Sequence, residues 1–434
     1  MKNRSSKSCK SSASPSSVRV IFCALLLVML CLTSGFARAD VQQSTLERRV
    51  SAMTPAQLLS KPPAQLVDAN RQAAAQYLVR YSRPAWFVWI GFQIFTLLYL
   101  WQSGIAARTR DALKRKISSI WGVRFVFGAL IALAVQIAAL PAEFYDYRIL
   151  RLMGLSTQPP AGWWTDLLVS TLLEMLVLGA VVALILWAVD RTRLWWIYVM
   201  LGAFAASVFL SFIFPLAIEP LFNHFTPLPE GQPLTARIHE LARKAGDGGL
   251  PIFISDLSRR TKAGNAYVVG IGSSKRIVIG DTVLHVASDD EVLFILAHEL
   301  GHDVHGDTFR GSLFAGFIFI LAATLAVLIA DRIGFRRDDD PLSRLTLVGA
   351  LLGCMYLVFL PVINGYSRGV EAAADTYALQ LDPDRVAGTR MFVRFADEDM
   401  ALLCPGRLAR IYWYTHPPIG SRISNANGQP NPCP

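Results

Sequence analysis

The 434-residue chain reads as a mainly α-helical, polytopic membrane protein whose extramembrane part carries a small β-sheet. Three observations predict this fold class. Hydrophobic residues make up 53% of the sequence, a high share for a soluble protein. Apolar stretches recur at 85–103, 120–140, 166–189, 195–217, 311–331 and 345–363, each near the ~20 residues a helix needs to cross the hydrocarbon core. Finally, His298-Glu299-Leu300-Gly301-His302 places two imidazoles at i and i+4, on one face of a helix, around a glutamate.

In chain order, Lys2, Arg4, Lys7, Lys10 and Arg19 precede an apolar run from Val20 to Thr33, then Ala37-Arg38-Ala39. Residues 1–39 are therefore either a cleaved secretory signal or a retained first transmembrane helix, which would make seven spans. Residues 40–84 are polar and Gln/Ala-rich, as short surface helices are. Residues 85–217 form an N-terminal membrane domain of four spans, with Trp86, Tyr99, Trp101, Trp121, Trp187, Trp195 and Trp196 at span edges as an interfacial belt. Residues 218–434 form a second domain, which carries the His298–His302 motif and includes two further spans, 311–331 and 345–363.

Within that domain Gln232 to Ala245 is amphipathic and predicts a helix. Ile252–Ser255, Ala266–Ile271 and Lys275–Ile279 predict strands, the last two joined by Gly272-Ser273-Ser274 as in a hairpin. Ser288-Asp289-Asp290 caps a helix over 289–305 that carries both histidines. A second extramembrane block is expected from residue 364, beginning with a helix around Glu371. The Ser-rich opening and the Asn/Gly/Pro-rich close read as poorly ordered.

The net charge of +10 falls partly in short loops and flanks: Arg108, Arg110, Lys114, Arg115 and Lys116, then Arg191 and Arg193, then Arg332, Arg336 and Arg337. Because it alternates with apolar spans, it reads as an orientation signal and not as a nucleic-acid patch. With these loops in the cytoplasm, 40–84, 141–165, 218–310 and the tail from 364 lie outside. Cys404 and Cys433 in that tail can then pair in an oxidising compartment.

Histidines are scarce, seven in all, and two of them flank Glu299 at ligand spacing. A core helix with hydrogen-bonded histidines is the plainer alternative. Three protein ligands with one open position are what a hydrolytic zinc site requires. Downstream, Glu371 and Asp375 share a helical face, so one can bind the metal while the other orients a ligand histidine.

These residues resemble the type I CAAX prenyl proteases, integral membrane zinc endopeptidases related to the yeast a-factor-converting enzyme. The likeness covers roughly residues 85–425. It rests on Pro220-Leu221-Phe222-Asn223 with Thr226-Pro227-Leu228, Ser258-Arg259 leading to Asn265-Ala266-Tyr267, Asp281-Thr282, the His298–His302 motif, Asn364 with Ser367-Arg368, Glu371 and Ala374-Asp375, and Thr415-His416-Pro417-Pro418 with Arg422-Ile423. The resemblance implies a transmembrane helical barrel enclosing a chamber and a gluzincin-type domain. It implies one Zn2+ per chain on His298, His302 and Glu371, with Glu299 as general base. It also implies substrate backbone binding along Asn265, Ala266 and Tyr267, oxyanion stabilisation by His416, and Asp375 and Arg368 behind the ligands, Arg368 holding a buried carboxylate such as Asp375.

The expected activity is hydrolysis of peptide bonds in peptide or protein substrates, lipidated or not, at a lipid bilayer and without nucleic acid. The outward orientation and signal-like start depart from the eukaryotic members and fit a bacterial inner-membrane protein. Two rival readings are a heat-shock-type quality-control metalloprotease and a non-enzymatic polytopic protein with a structural metal.

Overall fold

A computed structural model describes residues 43–332 and 340–433. The signal-or-anchor segment therefore lies outside the described residues. Short helices α1 (Gln43–Ser51), α2 (Pro55–Ser60) and α3 (Pro63–Leu66) lead into α4 (Ala69–Gln102). Then come α5 (Ile105–Lys116), α6 (Ile120–Leu152), α7 (Pro160–Arg191) and α8 (Trp195–Ile213). The part that follows contains β1 (Phe225–Pro227), α9 (Pro233–Lys244), β2 (Ile252–Ser255), β3 (Ala266–Val269), β4 (Arg276–Gly280), α10 (Asp281–Val286) and α11 (Asp289–Val304). It continues with α12 (Asp307–Arg332), α13 (Pro341–Leu381), α14 (Arg385–Asp397), α15 (Arg407–Trp413) and α16 (Ile419–Asn427).

Among the described residues six helices are long and apolar enough to cross a membrane, matching the six apolar stretches. Their outward faces are apolar, with Leu168, Leu172 and Leu176 on α7 and Phe209 on α8 exposed, as contact with lipid demands. The spans continue as helix beyond their apolar stretches. Most consequentially, α13 runs for 41 residues through Pro361 without a break, so Glu371 rides on the same helix as the last span and not on a separate one.

The four-stranded sheet has the order β1-β2-β4-β3. β2 and β4 are parallel, while β1 and β3 run antiparallel to their neighbours. β1 is a strand that composition did not announce. β3 lies at the edge beside α11, leaving one side unpaired within the sheet.

The segment 43–66, expected at the surface, is docked on the core formed by the sheet, α9, α11, α14 and α16. Val50, Leu58 and Leu66 are fully buried there with Ile238, Ile279, Leu296 and Ile423. Asp397 accepts from Arg49 at 2.5 Å and from the Asp68 amide at 2.8 Å, and Asn427 donates to the Leu58 and Lys61 carbonyls. The apolar face of each short helix is too small to fold alone but large enough to bury. The closing stretch is likewise held. Gln429 donates to the Leu59 carbonyl, and Cys433 forms a disulfide with Cys404. An intact-mass measurement is expected to gain about 2 Da on reduction with unfolding; no gain would mean the thiols are free.

Candidate active site

Helix α11 is fixed at its start by a capping box. Ser288 N–H and Oγ both donate to Glu291 Oε2 at 2.8 Å, and the other oxygen of Glu291 takes Arg394 Nε at 2.6 Å. Val292, Phe294, Leu296 and Leu300 are buried, which turns His298, Glu299 and His302 toward α13, with His298 and Glu299 lining a cavity of about 360 Å³. The two helices meet at Gly301. A Cβ there would lie 3.1 Å from Tyr377 Cδ1 and 3.3 Å from Ala374 Cα. This close approach delivers Glu371. Gly301→Val is expected to push α13 away and cost tenfold or more in zinc affinity, read by chelator competition.

His298 Nε2 and His302 Nε2 are 3.1 Å apart. Glu371 Oε2 is 3.3 Å from His298 Nε2, and Glu371 Oε1 is 3.6 Å from His302 Nε2. Donors that each hold a tetrahedral ion at about 2.0–2.1 Å sit roughly 3.3–3.4 Å from one another. The donor set thus fits a zinc-sized ion. Glu371 Oε2 is buried and faces only ring nitrogens, at poor hydrogen-bond geometry, a cost that a cation would remove.

Both imidazoles are held from behind. His298 Nδ1 is 2.9 Å from Asp375 Oδ1, and His302 Nδ1 is 2.9 Å from Asp307 Oδ2. Carboxylates in those positions fix the tautomer that leaves Nε2 free for a metal. Burial works against charge on His298, but its contacts with the Asp375 and Glu371 carboxylates outweigh this and push it up to about 9. Metal must displace that proton. Zinc binding to the metal-free protein is therefore expected to strengthen about tenfold per pH unit up to about 9 and then level, as calorimetry across that range would show.

Burial raises the Glu299 carboxyl, and His298 and His302 partly pull it back. His416 reaches Glu371 Oε2 with Nε2 at 3.2 Å and pairs with Thr415 Oγ1 through Nδ1 at 2.9 Å. Burial also lowers the His416 imidazole, favouring its neutral form. Asn265 and Ala266 line the same cavity. Tyr267, on the other face of β3, does not, because its hydroxyl donates to buried Glu219.

Arg368 does not hold Asp375. It donates to the Arg410 and Tyr414 carbonyls at 2.8 Å each, bracing the segment that leads to His416. Two helical turns, about 10 Å along the axis, separate Arg368 from Asp375. Arg422 from α16 takes Asp375 instead, with Nε at 2.8 Å from Oδ2 and a terminal nitrogen at 2.6 Å from Oδ1. Asp307 and Arg422 are the residues that sequence reasoning left without a role. Asp307 had one signal, its place five residues after His302 at the start of the next helix.

Comparison with known proteins agrees with this geometry. A profile described as "Peptidase family M48" matches residues 230–429, and one described as "CAAX prenyl protease N-terminal, five membrane helices" matches 56–224. The uncharacterized metalloprotease YhfN of Bacillus subtilis is 29% identical over 383 residues, covering 85% of this chain and 88% of that one. CAAX prenyl protease 1 of Saccharomyces cerevisiae is 34% identical over 180 residues, 41% of this chain and 39% of the yeast protein. The crystal structure of S. mikatae Ste24p superimposes with a TM-score of 0.71 over 96% of this chain and 99% of that chain, at 22% identity, so the two share a fold. With profile matches running almost end to end from residue 56 to 429, the chain belongs to the M48 metallopeptidases, as a multi-pass membrane member related to the CAAX prenyl proteases.

Proposed function

We propose that the protein is a zinc metalloendopeptidase of the bacterial inner membrane, with its catalytic side outside the cytoplasm, that cuts peptides able to enter its chamber. The observation that carries the reading is the convergence of His298, His302 and Glu371 at tetrahedral spacing beside Glu299. Those three residues would hold one zinc ion. Zinc, when bound, supplies a Lewis acid that brings the pKa of water toward neutrality and polarises a carbonyl.

Glu299 takes the proton of the attacking water and passes it to the leaving amine. Its buried setting, which raises the carboxyl toward working pH, suits it to both halves of that transfer. His416 donates to the oxygen on which charge develops. Asn265 and Ala266, at the start of edge strand β3, hold the peptide by main-chain hydrogen bonds, so affinity needs little from its side chains.

Orientation is supported by parity and by charge. Segments 43–68, 222–306 and 382–433 fall on one side of the six spans, and the disulfide lies in the last of them. The basic helix α5 lies on the other side, with Lys114 2.7 Å from Asp340 at the start of α13. In intact cells a membrane-impermeant maleimide is expected to label Glu230→Cys and spare Lys114→Cys, and the reverse pattern would refute the orientation.

The activity itself is tested with purified protein and a peptide library read by mass spectrometry. Cleavage that 1,10-phenanthroline stops and zinc restores is expected. Cleavage indifferent to chelation, or none from zinc-loaded protein, would sink the proposal.

A further inference from the structure

The catalytic cavity meets a second cavity of about 870 Å³, and Asp399 lines both. Around the smaller cavity the walls are largely apolar, with Phe294, Met391, Phe395 and Leu402 among them. Arg422 also lines it, but both of its bonds go to Asp375. Beyond Asp399, the larger cavity carries Glu143, Asp146, Asp166 and Glu174 against only Arg83 and Arg260. An acid-rich interior is notable in a chain of net charge +10.

Asp399 has no ion-pair partner among the described residues, and its one hydrogen bond comes from the Gly264 backbone. The nearby Arg71 donates instead to the Asp397 and Glu398 carbonyls, and Arg394 is taken by Glu291 and Glu398. A half-buried carboxylate that faces two cavities and forms no ion pair is costly to hold charged unless the occupant brings a cation. Burial and the neighbouring Glu398 push its carboxyl well above the usual range, with Arg71 pulling it back, so a cationic occupant would favour its ionised form.

We propose that Asp399 determines substrate specificity: the enzyme takes cationic peptides and seats a Lys or Arg side chain with its stem along the apolar wall and its charge on Asp399. The aliphatic stem of such a residue packs on Phe294, Met391 and Phe395 while the head reaches the carboxylate. The surplus of acids in the larger cavity raises the local concentration of cationic chains before they reach the site. This inference rests on the peptidase reading, since it names the substrate of that same site.

The test uses full-length protein in nanodiscs and peptides alike except for Lys, Arg, Leu or Glu at one central position. Binding is read by fluorescence anisotropy on Glu299→Gln protein, and cleavage by mass spectrometry on the native enzyme. Lys and Arg peptides are expected to bind tenfold or more tighter than Leu or Glu peptides. Asp399→Asn, which keeps an acceptor for the Gly264 amide, is expected to erase that preference while leaving Leu-peptide binding unchanged.

Equal binding of Lys and Leu peptides overturns the proposal. So does a preference that survives Asp399→Asn, or a uniform loss for all peptides, which would mark Asp399 as structural only. A charge preference in binding without any cleavage would uphold Asp399 and refute the peptidase reading. Cleavage without the preference would do the opposite.

Discussion

Glu299→Gln is expected to lower kcat/KM for peptide cleavage by a factor of ~1000 or more while leaving about one zinc per chain. The amide matches the carboxylate in size but cannot accept a proton from water or return it to the leaving amine. A thousandfold loss corresponds to about 4 kcal/mol of transition-state stabilisation. Metal content is expected to hold because Glu299 is not among the converging donors: His298, His302 and Glu371 are. The fold is also expected to hold, since the substitution removes a carboxylate that burial already disfavours in its charged form. Kinetics and metal analysis on one preparation decide the matter. Zinc-loaded Glu299→Gln protein with near-native turnover would remove Glu299 from the chemistry.

The second large effect is expected at Asp375. Asp375→Ala leaves Arg422 buried without its bidentate partner, which costs about 3–5 kcal/mol of stability when one member of a buried pair is deleted. It also releases His298 Nδ1, and loss of such an orienting carboxylate weakens metal binding about 10–100-fold. The two effects separate in a double variant. Asp375→Leu with Arg422→Met removes both charges from the buried site, so thermal stability is expected to recover most of its loss. Zinc affinity is expected to stay low, because nothing then faces His298 Nδ1. Full recovery of affinity in the double variant would show that Asp375 acts on the fold alone.

Much of this was legible in the sequence, for physical reasons that differ by element. The six spans were legible because lipid demands long uninterrupted apolar runs, a constraint that composition records directly. The pair His298 and His302 was legible because ligand spacing and helical periodicity coincide. Helical spacing offered Glu371 and Asp375 together as candidates, and only the family motif singled out Glu371 as the ligand, since a lone glutamate on a helix has many innocent explanations.

What was missed depends on contacts between distant segments. No local pattern in Asp375 says that its cation arrives from Arg422 and not from nearby Arg368; only the crossing of α16 over α13 decides it. Strand β1 is three residues long and ends at Pro227, so it carries no alternation to detect. Residues 43–66 look like surface because their helices bury one narrow face each, and the face exists only once α14 and α16 are there to meet it.

That last arrangement has a consequence for biosynthesis. The core around helix α11 is closed by pieces far apart in the chain: Asn427 and Gln429 grip the Leu58–Lys61 turn, while Asp397 waits for Arg49. A nascent chain that has not yet reached residue 427 has the first partner but not the last. The core beneath the two histidines is therefore expected to close only once residue 429 has been made, and a product stopped before Asn427 is expected to lack that clasp.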